Sequence, residues 1–444
     1  MKKSYIVVLV VILSIFLVPI IGNKLITDRL TKEVNLLKSN GLAVKVDTTN
    51  VEYLNTKKYY EFEIKDSEKF VKYFNLDTKD SFNGTSIALD LVYSNIPFIS
   101  SLELDITLLT LPTNLENYLK RYKFNLYNEL NKFLLDKKLS SHIEYNLHSN
   151  FFNGKVKDIE EIFLLKDDST ISSVLKDAKF NGTVSKRIEF NIDKSSLLLS
   201  DKGGEFEFNI EKLNTIYNFK TKNYFNSKSD VKAVRFRFNS DSKKEVLINF
   251  SNIETSFSLD ENNNSLEMKT NNSLDKLTLK SDKLSAKLED FNYELFVKNI
   301  DKIKYEKMVK IISQLDVNSN NYKVKLEDSL WEFISSGVNI ELKDGSFKNL
   351  VINNEDLKGF SISSKIDIKR DNDFRYKLNH NKLELFKNIN FKTKVRISKP
   401  LFNVVAQENK LLFFTKQYSK EQNNSLVYDI SLIDNKLNVN GKVF

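Results

Sequence analysis

The sequence predicts a β-dominated α+β fold, in which an N-terminal transmembrane helix precedes a large curved antiparallel sheet or sandwich with a few packing helices. Three observations support this prediction. An uncharged, apolar run occupies residues 5–22. From Leu42 onward, apolar residues recur mostly at every second position, which is typical of strands with one buried and one solvated face. Only a few later segments show the spacing of helices instead.

The apolar run follows a short basic tail, Met1-Lys2-Lys3, and reads YIVVLVVILSIFLVPIIG. Its 18 residues are near the lower end of the roughly 17–25 that a helix needs to cross a bilayer. In hydrocarbon, a helix pairs its backbone polar groups within the segment. We therefore predict a transmembrane anchor at residues 1–22. A cleaved signal peptide is the alternative, although a small-x-small cleavage site is missing, and the question of cleavage stays open.

The short tail before the anchor favours export of everything that follows, because long domains translocate largely regardless of flanking charge. We predict a single-pass protein whose N-terminus is cytoplasmic. Residues 23–41 are predicted to form a juxtamembrane amphipathic helix that ends at Gly41. Its apolar stripe consists of Leu25, Ile26, Leu30, Val34 and Leu37.

Residues 42–444 are predicted to form one exported β-rich domain, with a subdivision near residue 300 left open. Alternating segments are separated by turn signals such as Asn181-Gly182 and Gly203-Gly204, which is the pattern of an antiparallel meander. Helical spacing predicts three helices, at residues 114–137, 300–315 and 326–336. The last predicted strands are residues 338–342, 350–352 continuing to 360–368, 391–397 and 427–443.

Composition and motifs exclude several kinds of chemistry. The chain has no cysteine, so disulfides and thiol nucleophiles are excluded. Two of its three histidines, His142 and His148, are six residues apart, or about 20 Å along a strand, which is too far to share one ion. Phosphate loops, nucleophile elbows and zinc-helix motifs do not occur in the sequence. We therefore predict a non-enzymatic protein without catalytic residues, metal or cofactor.

The charge pattern argues against nucleic acid as a partner. The net charge of +9 comes from 68 basic and 59 acidic residues that are interspersed along the chain. A nucleic-acid-binding protein would concentrate its basic residues in one patch or stripe. The predicted partners are the membrane, through the anchor, and either lipid or another envelope protein.

The C-terminal third resembles a known family. Residues 326–337, LEDSLWEFISSG, precede VNIELKDGSF at 338–347, and LVYDISLIDNKLNVNGK occupies 426–442. This helix, strand and glycine turn, with the closing Leu-x-x-Asn-Gly-Lys, resemble the YdgA-like family of bacterial envelope proteins. Leu411–Phe414 and Tyr418 occupy the place of the family's preceding strand, and Ser94-Asn95-Ile96-Pro97-Phe98 the place of an earlier turn. The resemblance implies an inner-membrane protein that faces the periplasm, in a family of unknown biochemical function.

The surplus of one-sided strands suggests how such a domain works. A sheet has to cover its apolar face, and few helices are available for more than a dozen predicted strands. A sheet that curls on itself would line a groove suited to acyl chains, since each buried CH₂ contributes about 0.8 kcal/mol. The predicted groove lining is Phe190, Phe206, Phe208, Phe236, Phe238 and Phe250.

Two functional hypotheses follow from the sequence. In the first, the anchored periplasmic domain binds lipid or an amphipathic client during assembly or maintenance of the cell envelope. In the alternative, two sheets close over one another as an ordinary sandwich. The protein would then be a structural or interaction scaffold of the envelope, with a closed core and no ligand.

Overall fold

The structure is a computed structural model that describes residues 23–74, 80–96, 101–165, 169–221, 224–240, 244–262, 265–314, 322–380, 386–409 and 411–444. These residues form 22 strands and a smaller number of helices, so the predicted β-dominated α+β class is confirmed. The chain divides into two compact units, Met1–Glu205 and Phe206–Phe444. Residue 300, where the sequence left a subdivision open, lies inside the second unit.

The predicted anchor at residues 1–22 lies outside the described residues. Within the described ranges, every helix falls short of the length and apolar character that crossing a bilayer requires.

The first unit is built on antiparallel strands that pair successively from β1 to β6. Strands β6 and β7 pair with β9 and β8, respectively, and β9 and β8 pair in turn with successive parts of β10. Most of them are short, and hairpin turns join many of them directly. Their bounds are β1 Leu42–Val51, β2 Asn55–Ile64, β3 Ser86–Ser94, β4 Ser101–Leu108, β5 Ser140–Asn146, β6 Phe151–Val156, β7 Ile159–Leu164, β8 Thr170–Lys176, β9 Lys179–Thr183 and β10 Arg187–Asp201.

Helix α1, at residues 23–39, covers one face of this sheet and confirms the predicted amphipathic helix. Gly41 ends it at a φ of +98°, and a Cβ there would lie 2.3 Å from the carbonyl oxygen of Asp66. The predicted glycine stop is therefore confirmed, with a steric reason. Two clusters join helix and sheet: Val34 and Leu37 with Leu42, Tyr60 and Phe62, and Ile26 and Leu30 with Leu91, Tyr93 and Leu102.

The single helix predicted at residues 114–137 is wrong, because the structure contains two helices there. After α2 (Ser67–Phe74), helices α3 (Thr113–Tyr122) and α4 (Phe124–Leu135) are separated at Lys123, whose φ and ψ are −140° and 51°. Phe133 of α4 packs against Phe163 of β7, with 5.7 Å between ring centroids, whereas Tyr122 of α3 stays exposed. Phe133 and Leu134 of α4 thus share a core cluster with Phe163, whereas Leu119 is the buried residue of α3.

The second unit consists mostly of long antiparallel strands in a meander, in which sequential strands pair from β12 to β18 and β20 then pairs with β18. Strand β20 also pairs with β19 and β21, and β21 pairs with β22. The bounds are β11 Gly204–Phe219, β12 Phe225–Ser240, β13 Glu245–Asn262, β14 Ser265–Lys280, β15 Ser285–Asp301, β16 Val338–Ile352, β17 Glu355–Ile368, β18 Ile389–Ser398, β19 Lys420–Gln422, β20 Ser425–Ile433, β21 Lys436–Val439 and β22 Lys442–Val443.

The helices of the second unit follow β15, β17 and β18 along the chain. Helices α5 (Lys302–Gln314) and α6 (Tyr322–Ile334) follow β15, in good agreement with the two helices predicted there. Helices α7 (Phe374–His380), α8 (Lys399–Glu408) and α9 (Leu411–Thr415) come later. The strand expected at Leu411–Phe414 from the family resemblance is therefore wrong. The glycine turn expected near Gly345 is also wrong: this residue lies inside β16, beside an irregularity in its pairing with β17.

Candidate ligand-binding face

The candidate site lies on strands β11 to β16, and no helix separates the first five of these strands in the part of the chain that the structure describes. From residue 204 to residue 301, the described residues form strands and tight turns throughout. Strands β11 to β15 are 16 to 18 residues long, about three times the usual strand length. Each carries alternating apolar residues, so the sheet has one apolar face that no intervening helix covers.

Five of the six predicted groove residues lie in this region. Phe208 and Phe236 have ring centroids 5.0 Å apart, and Phe236 and Phe250 are 6.4 Å apart. Phe206 and Phe238 lie two residues from these rings on the same strands. The register continues the row, because Phe250 lies opposite Leu277, Leu277 opposite Leu288, and Leu288 opposite Leu350. We call this set the open face: Phe206, Phe208, Phe236, Phe238, Phe250, Leu277, Leu288 and Leu350.

No residue of the open face is buried. Phe238 is 49% exposed, and the other members are half-buried. A closed sandwich would bury such a row almost completely, as interdigitating inner faces form a core. The observed exposure therefore favours an uncovered face over the closed core of the alternative hypothesis.

Helices cover the apolar side of the unit at two other places. Tyr305 of α5 and Phe333 of α6 pack on a cluster of five buried residues, Tyr224, Leu259, Leu266, Val297 and Ile300. Phe402 and Ala406 of α8 form a second cluster with Leu426 and Tyr428. The same sheet thus has buried cores under its helices and an exposed apolar row elsewhere.

A row of polar doublets crosses the strands beside the open face. Each strand carries two successive polar or small residues at matching register, for example Ser251-Asn252 in β13 and Asp275-Lys276 in β14. Beyond each doublet, the alternation of apolar residues resumes one position later than it would in an uninterrupted strand. A left-handed φ at Lys212, Asn252 and Asp290, between 49° and 52°, lets β11, β13 and β15 make this change without slipping in register. The apolar residues on the two sides of the row consequently share one face.

The doublets are the feature that sequence reasoning missed. The alternation of apolar residues changes phase at Glu289-Asp290 inside the single strand β15. A signal was present, since Glu211-Lys212, Ser251-Asn252, Asp275-Lys276 and Glu289-Asp290 all interrupt the alternation in the same way. In the structure, the Asn252 amide donates to the Asp275 carboxylate at 2.7 Å, and Lys348 pairs with Asp290 at 3.3 Å.

The opposite face of the same strands is polar. It contains a cavity of about 380 Å³ whose lining includes Lys228, Glu254, Asn271 and Glu294. The Asp230 carboxylate, 3.1 Å from Lys228, raises the pKa of that ammonium by hydrogen bonding. The side-chain oxygen of Asn271 is buried without a hydrogen-bond partner. The two faces of the sheet therefore differ sharply in chemistry, and only the open face suits an apolar ligand.

The sixth predicted residue, Phe190, lies in the first unit. Its ring is 6.5 Å from that of Phe180 and is 42% exposed. His142 Nδ1 donates a hydrogen bond to the Asp105 carboxylate at 2.9 Å on the surface of the same unit. Across the part of the chain that the structure describes, no group of three or more His, Asp or Glu residues is placed to hold a metal ion.

The fold and the open face define a protein with a one-sided antiparallel sheet whose apolar residues remain accessible. Comparison of this chain with protein-family models, with curated proteins and with solved structures finds no match.

Proposed function

We propose that this chain is a non-enzymatic, membrane-anchored protein of the bacterial cell envelope whose open face binds the acyl chains of lipids. The observation that carries the proposal is the exposed row of phenylalanine and leucine side chains on β11 to β16. The apolar run at residues 5–22 and the resemblance to YdgA-like envelope proteins support a location at the inner membrane, with the main domain in the periplasm.

The dimensions of the open face suit an acyl chain. Neighbouring strands are about 4.8 Å apart, so six strands span roughly 24 Å across the sheet. One leaflet of a bilayer's hydrocarbon core is about 15 Å thick, and an acyl chain that spans it would fit within the row. Each methylene removed from water would contribute about 0.8 kcal/mol.

The chemistry of the row also suits hydrocarbon. Its members are Phe and Leu, without a charged or hydrogen-bonding side chain among them. Exposed apolar patches of this kind are typical of surfaces that bind ligands, membranes or other proteins. Aromatic rings that are held 5.0 and 6.4 Å apart by paired strands form a surface that is ordered before a ligand arrives, which lowers the entropic cost of binding.

A matched pair of variants tests the proposal in the full chain, reconstituted into nanodiscs to avoid detergent. Phe236→Asp places a charge in the open face, and Arg235→Ser alters the neighbouring exposed residue on the polar face. We expect uptake of a fluorescent fatty acid to weaken at least about tenfold in Phe236→Asp, because a carboxylate is costly to desolvate. Uptake by Arg235→Ser should match the wild type, and both variants should keep the far-ultraviolet circular dichroism of the wild type.

Two outcomes would contradict the proposal. One is a wild-type chain that neither takes up the probe nor releases lipid on extraction. The other is equal uptake by both variants, which would place the ligand elsewhere. A shift of the wild type to dimers that Phe236→Asp abolishes, without any lipid uptake, would support the scaffold alternative instead.

A further inference from the structure

One end of the first unit's sheet carries exposed apolar side chains in and beside its turns, and we propose that this end contacts the surface of the bilayer. We call it the membrane end and define it by three turns, residues 52–54 between β1 and β2, 147–150 between β5 and β6, and 184–186 between β9 and β10. The inference rests on the anchor that forms part of the proposed function.

Strand register places the three turns at the same end of the sheet. Thr56, directly after the first turn, lies opposite Tyr93, and Tyr93 lies opposite Leu102. Leu102 lies opposite Tyr145, which precedes the second turn. Phe151, directly after that turn, lies opposite Thr183, which precedes the third. In an antiparallel sheet, such a series of opposite residues runs straight across the strands. The three turns therefore lie at one end of the sheet.

The chain joins the folded unit at this same end. Helix α1 begins at residue 23, immediately after the apolar run that ends at Gly22. The Tyr93 hydroxyl donates to the Asn23 side-chain oxygen at 3.4 Å and lies 2.9 Å from the Thr27 hydroxyl. An anchor at residues 1–22 therefore leaves the bilayer beside Tyr93, and the membrane end must face the lipid headgroups.

The exposed side chains at this end suit the membrane interface. Tyr53 is 51% exposed, and Val51, Leu54, Phe151 and Val184 are exposed as well. Tyrosine is enriched where an apolar ring can enter the acyl boundary while its hydroxyl stays among the headgroups. The exposed Lys24 at the start of α1 and Lys186 in the third turn add positive charge, which complements lipid phosphates.

Buried polar groups hold the first turn in place. Asn95 is 1% exposed, and its amide donates to the carbonyl oxygens of Glu52 at 2.6 Å and Tyr53 at 3.2 Å. Its side-chain oxygen accepts from the buried Thr56 hydroxyl at 2.7 Å, and its backbone N–H donates to the Leu54 carbonyl at 2.7 Å. A buried, hydrogen-bonded network thus fixes a turn whose Tyr53 and Leu54 side chains remain exposed, which is expected of a contact surface.

Brominated lipids test this contact in the full chain. Trp331→Phe removes the natural tryptophan, and Tyr53→Trp or Tyr73→Trp then places a probe at the membrane end or in α2. Tyr73 is the matched control, because it is an exposed tyrosine of the same unit on a helix that follows Ile64, at the opposite end of β2. In vesicles of anionic and neutral brominated phospholipid, we expect quenching in the Tyr53→Trp variant to exceed that in the Tyr73→Trp variant at least about twofold.

The possible results separate this inference from the proposed function. Chains that float with vesicles but show equal quenching at both positions would overturn the membrane end and leave the anchor intact. Chains that do not float would contradict the anchor, and the inference would fall with it. Adding Asn95→Ala to the Tyr53→Trp variant should lower the quenching, because the turn loses its buried support; undiminished quenching would contradict the role given to Asn95.

Discussion

The two units contain the same strand pattern with opposite outcomes for their aromatic residues. In β2 and β3, Tyr60, Phe62 and Tyr93 alternate with polar residues and are almost fully buried, with Phe62 only 4% exposed. In β12 and β13, Phe236 and Phe250 alternate in the same way but are only half-buried. Alternation therefore determines which face of a strand is apolar, whereas the presence of a covering element determines whether that face becomes a core.

The order of elements along the chain explains the difference. Helix α1 stands directly before β1 and folds back over the sheet through Val34 and Leu37. Between β11 and β15, the described residues contain turns and no helix, so that no local segment is available to cover Phe236. The helices that follow, α5 and α6, pack on Leu259, Leu266 and Ile300 instead. A face without a cover is available for a ligand.

The largest expected effect tests this comparison directly. Phe62→Ala should lower the free energy of unfolding of the first unit by about 3–5 kcal/mol, because a fully packed ring leaves a cavity. Phe236→Ala should lower that of the second unit by only about 1 kcal/mol, because its ring is already partly in water. Urea denaturation followed by circular dichroism reports both units, while the fluorescence of Trp331 reports the second unit alone.

A loss of several kcal/mol in Phe236→Ala would contradict the comparison, since it would show that the open face is a packed core. A small loss of unfolding free energy in Phe62→Ala would also contradict the comparison, since it would show that this ring is not packed in a core. Because each unit has core clusters of its own, each variant is to be compared with the transition of its own unit rather than with a single midpoint.

A smaller effect on stability is expected from a comparison of a buried, hydrogen-bonded asparagine with an exposed one. Asn95→Ala should destabilise the first unit by about 2 kcal/mol, because the buried Thr56 hydroxyl and two carbonyl oxygens lose their partner. Asn55→Ala is the control, since Asn55 is exposed on the adjoining strand and surface substitutions usually change stability by less than about 0.5 kcal/mol. The same urea transition measures both, and equal effects would argue against a supporting network.

How much of this could be predicted depends on which interactions are local. The helix at residues 23–39, its stop at Gly41 and the alternating strands follow from periodicity and backbone sterics, which the sequence displays directly. The break at Lys123 and the helix at Leu411–Thr415 depend on contacts with distant strands, which periodicity does not contain. The five phenylalanines of the open face are predicted as groove lining from their alternation, whereas the extent to which helices leave that face uncovered depends on where α5, α6 and α8 pack.

The smallest expected effect concerns charge within the covered unit. Glu63 is buried on β2, and hydrogen bonds from Lys45, at 2.8 Å, and from Lys65 hold the pKa of its carboxyl below the ordinary value. A lowered folded-state pKa adds stability that is fully present above the unfolded value of about 4.3 and is lost as pH falls through the folded value. Glu63→Gln should therefore destabilise the first unit at neutral pH, and its difference from the wild type should shrink as the solution is acidified below about pH 4. Urea transitions recorded by circular dichroism across this range measure the effect, and the transition reported by Trp331 in the second unit serves as the internal control.

A difference in stability that stays constant with pH would mean that Glu63 acts through packing and not through its charge. Only a group that titrates differently in the folded and unfolded states makes stability depend on pH.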